Sequence, residues 1–156
     1  MKKIAILIIG EYDSGKTSII KALTGFTGRN YRWQVRTLSG RETWAFVILS
    51  SLQEDQKTKY IDPNDHNIVK ALEKRYRIKP NTYKLLICPL EIRVSNRLYT
   101  FEEYASALIS LGFNVKMACI KKNWDGQSES DITGVQKYAK AYKIPLIVLD
   151  ISDSDE

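Results

Sequence analysis

The feature that most constrains the fold of this chain lies at residues 10–17, GEYDSGKT. These residues match the pattern G-x-x-x-x-G-K-[ST] in full. An apolar run over residues 3–9 precedes the match, and it has the continuous character of a strand buried on both faces of a parallel sheet. Helical spacing over residues 16–23 follows, and Thr24-Gly25 suits a left-handed helix end. A strand, a glycine-containing loop and a helix in this order are typical of a phosphate-binding loop.

The residue types in this loop fit phosphate chemistry. Gly10 and Gly15 allow a backbone that turns N–H groups toward an anion, and the helix start adds its positive dipole end. Lys16 would neutralise the β- and γ-phosphates, and the Thr17 hydroxyl would bind Mg²⁺. Asp13 is unfavourable near phosphates unless its carboxylate points to solvent. The sequence predicts a nucleotide site that consists of Gly10, Tyr12, Asp13, Ser14, Gly15, Lys16, Thr17 and Ser18, with Thr17 as the metal ligand.

Strands and helices alternate along the rest of the chain. Two β-rich runs over 31–38 and 42–50 flank a Gly40 turn and predict an antiparallel hairpin. A polar stretch over 53–65 separates the hairpin from the next predicted helix. The remaining predicted elements are helices over 68–79, 101–111 and 131–142 and strands over 83–90, 113–120 and 145–151. The predicted fold is therefore an α/β three-layer sandwich around a mostly parallel sheet with one antiparallel edge hairpin.

Composition limits the class of protein. The 156 residues suit one domain over 1–151 with an acidic tail over 152–156. No run approaches the roughly 20 apolar residues that cross a bilayer, so we expect a cytoplasmic chain with no membrane contact. The net charge of +6 favours an anionic partner. Cys88 and Cys119 lie in apolar runs and suit buried thiols, and the single histidine, His66, suits a helix cap better than a catalytic base.

Two longer segments connect the chain to a known family. Residues 15–25, GKTSIIKALTG, and residues 138–152, YAKAYKIPLIVLDIS, resemble the small GTPase-like branch of the P-loop NTPases, in particular the translation-factor-related GTPases. The resemblance implies GTP and Mg²⁺ as ligands, with Ser152 near the base. It implies that Asp125 in residues 121–125, KKNWD, reads guanine, although only this residue fits the base-reading motif and adenine stays open.

The chain departs from the family after the hairpin. The family has Asp-x-x-Gly there, whereas residues 49–54 read LSSLQE. Gln53 or Glu54 stands where the family places its water-orienting group. Glu91, at the end of a predicted strand, is either a substitute for the missing acid or a surface glutamate. Thr27 is the available switch threonine or a plain loop residue.

The combined prediction is a P-loop nucleoside triphosphate-binding protein, a slow GTPase-like hydrolase or nucleotide-dependent switch. An ATPase or small kinase is the first alternative, because such proteins share the loop. A kinase also needs arginines to clamp two phosphoryl groups. The arginines available for that clamp are Arg75, Arg77, Arg93 and Arg97. The second alternative is RNA binding at the hairpin, where residues 29–36, RNYRWQVR, interleave basic and aromatic types. A protein effector could dock on the same edge.

Overall fold

The computed structural model describes residues 2–26, 32–36, 38–57, 84–94, 98–122 and 129–150. The helix predicted over 68–79 lies outside these ranges. The described elements are β1 (Lys3–Gly10), α1 (Lys16–Thr24), β2 (Arg32–Arg36), β3 (Glu42–Val47), α2 (Leu52–Lys57), β4 (Leu85–Glu91), α3 (Phe101–Ser110), β5 (Phe113–Lys122), α4 (Thr133–Ala141) and β6 (Leu146–Asp150).

The strands form a six-stranded sheet in the order β2-β3-β4-β1-β5-β6. Strands β2 and β3 pair antiparallel, and every other neighbouring pair is parallel. The predicted mostly parallel sheet with an antiparallel edge hairpin is confirmed. Because β4 and β5 flank β1, the carboxyl ends of these three strands meet at one edge of the sheet. Ligands of open α/β sheets bind at such an edge.

Successive side chains of β1 enter two separate cores, as a strand covered on both faces requires. Ala5, Leu7 and Ile9 pack in a core that includes residues of α3 and α4. Ile8 belongs to the core on the opposite face, together with Ile20 of α1. Helices therefore cover both faces of the sheet, which confirms the three layers. In the part of the chain that the structure describes, no helix has the length and apolar character to cross a membrane.

The start of the polar stretch forms the short helix α2. Its first turn is held by Ser51 and Glu54: the Glu54 N–H donates to Ser51 Oγ at 3.1 Å, and the Ser51 N–H donates to the Glu54 carboxylate at 2.9 Å. This reciprocal pair is a capping box, and the spacing S-x-x-E in the sequence is its pattern. The polar composition of the stretch conceals this helix at the level of the sequence, whereas the cap spacing marks where it begins.

Both cysteines are buried free thiols, as predicted. Cys88 lies on β4 and Cys119 on β5, and neither side chain has exposed surface. Burial raises the pKa of Cys88 to about 12 and that of Cys119 to about 11. Thiolate is the reactive form of cysteine, so both thiols are chemically protected in the folded chain.

We expect native protein at pH 8 to react with an aromatic disulfide reagent such as DTNB only at the rate of unfolding. Both pKa values lie well above pH 8, so only about 10⁻³ of a thiol or less is ionised there, and the reagent cannot reach it. Absorbance of the released thiolate, with and without urea, measures this. Fast labelling of either cysteine without urea would contradict the buried positions of β4 and β5.

Candidate phosphate-binding site

The loop between β1 and α1 is curled by two residues in the left-handed region. Asp13 has φ 56° and Gly15 has φ 93°, on either side of Ser14. This backbone region favours glycine and tolerates aspartate, which explains an acidic residue at position 13. Alternation of this kind turns successive N–H groups to one concave side, and the first N–H groups of α1 have no acceptor within the helix. The loop is therefore built as an anion cradle.

Lys16 is buried, with 8% of its surface exposed. Its Nζ donates to the carbonyl of Gly10 at 3.1 Å and to the carbonyl of Glu11. Burial lowers the pKa of Lys16 below its ordinary value, while four neighbouring carboxylates oppose this shift by attracting the charged form. They belong to Glu91, Glu54, Asp13 and Glu11. The ammonium group is the positive charge at the centre of the site.

A cleft of about 200 Å³ opens over the loop. Its walls are Tyr12, Asp13, Ser14, Gly15, Lys16, Thr17, Ser18, Leu49, Ser51, Glu54 and Pro89. Asp13 is exposed, so its carboxylate reaches solvent as the prediction required. The structure thus brings Tyr12 to Ser18 of the predicted site to one cavity, whereas Gly10 is not among its walls. A second wall comes from Leu49, from the start of α2 and from Pro89 of β4.

Ser14 Oγ is a buried polar atom that lacks a hydrogen-bond partner among the described residues. The side chain is 1% exposed and lines the cleft. A Cβ on Gly10 would collide with this hydroxyl and force the Ser14 side chain to move, so glycine at position 10 leaves room for the hydroxyl. An unsatisfied buried hydroxyl costs about 1–3 kcal/mol. A phosphate oxygen in the cradle would supply the missing acceptor, and the loop fits such a group.

Thr17 connects the loop to the segment after β3. Its Oγ1 donates to the carbonyl of Leu49 at 3.0 Å. This bond uses the hydroxyl proton and leaves oxygen lone pairs, which is the arrangement a metal ligand needs. Among the described residues, no group of three or more His, Cys, Asp or Glu side chains is placed to hold a metal by itself.

Glu91 is buried beside the loop, so the surface interpretation of this residue was wrong. The parallel register of β1 and β4 places it opposite Gly10, and 3% of its surface is exposed. Ser51 Oγ donates to its carboxylate at 3.2 Å. The sequence did not reveal this position, because only the strand order shows that β4, and not β3, is the neighbour of β1.

Gln53 serves a structural purpose in this arrangement. The side chain is fully buried, its Nε2 donates to the Glu91 carbonyl at 3.3 Å, and its Oε1 accepts from the Glu91 N–H at 3.1 Å. Both ends of the amide bond the backbone of Glu91, and the fully buried side chain is not among the walls of the cleft, so Gln53 is not placed to orient a water molecule there. Glu54 lines the cleft but also caps α2 through the Ser51 N–H.

Several predicted residues lie outside the described ranges. Asp125 and Ser152 of the predicted base site are among them. The others are Thr27, His66, Arg75, Arg77 and Arg97. Arg93 is described, and its Nε lies 3.4 Å from the Glu11 carboxylate with its side chain mostly exposed.

The hairpin differs from the pattern expected of an RNA surface. Trp33 packs edge-on against Phe26 with ring centroids 5.4 Å apart, and its Nε1 donates to the Thr24 carbonyl at 2.9 Å. This ring faces the core beneath α1 and is not free to stack on a base. Arg36 pairs with Glu42 at 2.9 Å, which offsets its charge.

No protein-family model matches this chain, and no curated protein matches it. Among solved structures, the chain is similar to the FeoB G-domain from Methanococcus jannaschii, with a TM-score of 0.53 and 18% sequence identity. The similarity covers 99% of this chain and 90% of that one. At this identity the likeness concerns the fold, and the chain has the fold of a P-loop NTPase G domain.

Replacing Gln53 by leucine is expected to lower the free energy of unfolding by about 2–4 kcal/mol, because the Glu91 N–H and carbonyl would stay buried without partners. Urea denaturation measures the change. Gln136→Leu, at an exposed position of α4, is the matched control and should change stability little. Unchanged stability of the Gln53 variant would contradict the structural assignment.

Proposed function

We propose that this chain binds a nucleoside triphosphate together with Mg²⁺ in the cleft above the β1–α1 loop, GTP in preference to ATP. The observation that carries the proposal is the loop itself. Its two left-handed residues flank a buried hydroxyl that lacks a partner among the described residues, directly beside a buried lysine. A phosphate group satisfies all of these features at once: the amides, the hydroxyl and the ammonium.

Each side chain of the loop has a role in this proposal. Lys16 would give up its bonds to the Gly10 and Glu11 carbonyls in part and neutralise phosphate oxygens. Thr17 Oγ1 would hold Mg²⁺ while still donating to Leu49. The metal would offset charge on the β- and γ-phosphates. Ser14 and Ser18 line the phosphate end of the cleft, and Tyr12 lies at its exposed rim.

The catalytic part of the proposal is a slow hydrolase or a nucleotide-dependent switch. Glu54 is the remaining candidate for orienting a water molecule, because it lines the cleft whereas Gln53 is committed to Glu91. The Glu54 carboxylate is also a helix cap, and leaving that cap would cost stability. Because the Glu54 carboxylate would serve both as a helix cap and as the group that orients water, we expect slow hydrolysis. We therefore propose that the nucleotide-bound state matters more for function than the rate of hydrolysis.

The preference for guanine rests on Asp125 and Ser152 and on the resemblance of two segments to translation-factor-related GTPases, so it stays a prediction. An ATPase or a small kinase is the alternative if adenine is preferred, and a degenerate P-loop scaffold is the alternative if no nucleotide binds. A protein effector at the hairpin edge also stays a prediction. RNA binding there is not favoured, since Trp33 packs on the core and Arg36 is paired.

Calorimetric titration with GTP, GDP, ATP and ADP in the presence of Mg²⁺ tests the proposal. Lys16→Ala should weaken binding on the order of 100-fold, because it removes the charge-assisted contacts to the phosphates. Lys21→Ala, an exposed lysine on the same helix, is the matched control and should bind as the wild type does. Equal binding by the two variants, or none by the wild type, would contradict the proposal.

A further inference from the structure

The two edge strands of the sheet expose side chains of different kinds. Strand β2 lies at one edge and β6 at the other. The exposed side chains of β2 include Gln34 and Arg36, and polar or charged groups of this kind discourage pairing with another chain. On β6, Ile147 is 63% exposed and Val148 is 42% exposed. In the part of the chain that the structure describes, β6 is therefore an apolar edge without the protection that β2 has.

The exposed side chains of β6 lie on both faces of the sheet. Ile147 is in register with Ala118, which packs against the core beneath α1. Val148 is in register with Cys119, which belongs to the core beneath α3 and α4. A helix laid on the sheet would cover only one of these two side chains. A further strand beside β6 would contact both, because the side chains of a strand alternate between the faces.

The backbone of β6 also offers hydrogen bonds on its outer side. The carbonyl of Pro145 accepts from the Met117 N–H of β5 at 3.0 Å, so the polar groups of residue 145 point toward β5. These groups alternate in direction along a strand, which turns the N–H and C=O of Leu146 and Val148 away from β5. No strand lies on that side of β6 among the described residues. The outer side of β6 is therefore a template for one more strand.

The charges before and after β6 have opposite signs. Lys140 and Lys143 precede the strand and are exposed. Asp150 ends it, and the acidic residues 152–156, SDSDE, follow in the sequence. Two antiparallel copies of this strand bring the acidic end of each toward the basic start of the other, whereas two parallel copies would bring like charges together. The edge is thus complementary to itself, and a second copy of the chain fits it.

We infer that two copies of this chain associate by antiparallel pairing of their β6 strands, around a two-fold axis at Val148. In this register the Val148 N–H of each copy donates to the Val148 carbonyl of the other. Ile147 lies opposite Leu149 of the second copy, and the five residues of both strands overlap in full. The two six-stranded sheets then form one continuous sheet. The inference goes beyond nucleotide binding and is independent of it.

Sedimentation velocity without nucleotide, over micromolar to millimolar concentrations of the full chain, tests the association. The wild type should form a dimer whose population rises with concentration. Val148→Lys places two like charges opposite each other at the axis and should raise the dimer dissociation constant about 10-fold or more. Leu38→Lys, at an exposed apolar residue next to the hairpin turn, is the matched control and should associate as the wild type does. A monomeric wild type, or unchanged association of Val148→Lys, would overturn the inference.

Two cysteine variants test the register and stay informative if Val148→Lys fails to fold. The axis places the two Val148 Cα atoms about 5.5 Å apart, within the range of a disulfide, whereas the two Ile147 residues are diagonal neighbours about 8 Å apart. Under mild oxidation, Val148→Cys should give a covalent dimer on a non-reducing gel. Ile147→Cys should give little, although position 147 is more exposed.

The native cysteines do not interfere with this measurement, because Cys88 and Cys119 are buried. Cross-linking of neither variant, of Ile147→Cys alone, or of both variants to the same extent would overturn the proposed pairing. Loss of nucleotide binding would leave it standing, so its failure and that of the proposed function are distinguishable.

Discussion

The bonds from the Lys16 ammonium to the carbonyls of Gly10 and Glu11 are the interaction on which the rest of the site depends. They join the end of β1 to the start of α1 and bring a positive charge into a buried position. A buried charge is tolerated only with compensation, and here that compensation comes from backbone carbonyls and surrounding carboxylates. The acidic residues around the loop therefore stabilise the charged form of its buried lysine.

The segment 49–54 connects α1 to β4 at the edge of the sheet through hydrogen bonds. Its Leu49 carbonyl accepts from Thr17, its Ser51 hydroxyl bonds Glu91, and its Gln53 amide bonds the backbone of Glu91. One short stretch thus touches the first helix and the strand beside β1. Loss of any one of these bonds would weaken the others, because the partners share one buried network.

Elements with strong local patterns could be predicted from the sequence. The apolar run of β1, the glycines that end α1 and form the hairpin turn, and the loop motif each depend on neighbours in the chain. The positions of Glu91 and Gln53 depend on strand order, which no local pattern encodes. The position of Trp33 depends on packing in a similar way: an alternating strand has two faces, and only packing against Phe26 decides which face is buried.

Amide shifts in ¹⁵N–¹H NMR spectra test the central claim most directly, because the claim concerns particular backbone groups. On addition of GTP with Mg²⁺, the amides of Ser14, Gly15, Lys16 and Thr17 should shift most among the assigned residues and should saturate. These groups form the concave side of the loop and the first turn of α1. Shifts confined to other parts of the sheet, or none at millimolar nucleotide, would contradict a phosphate site at this loop.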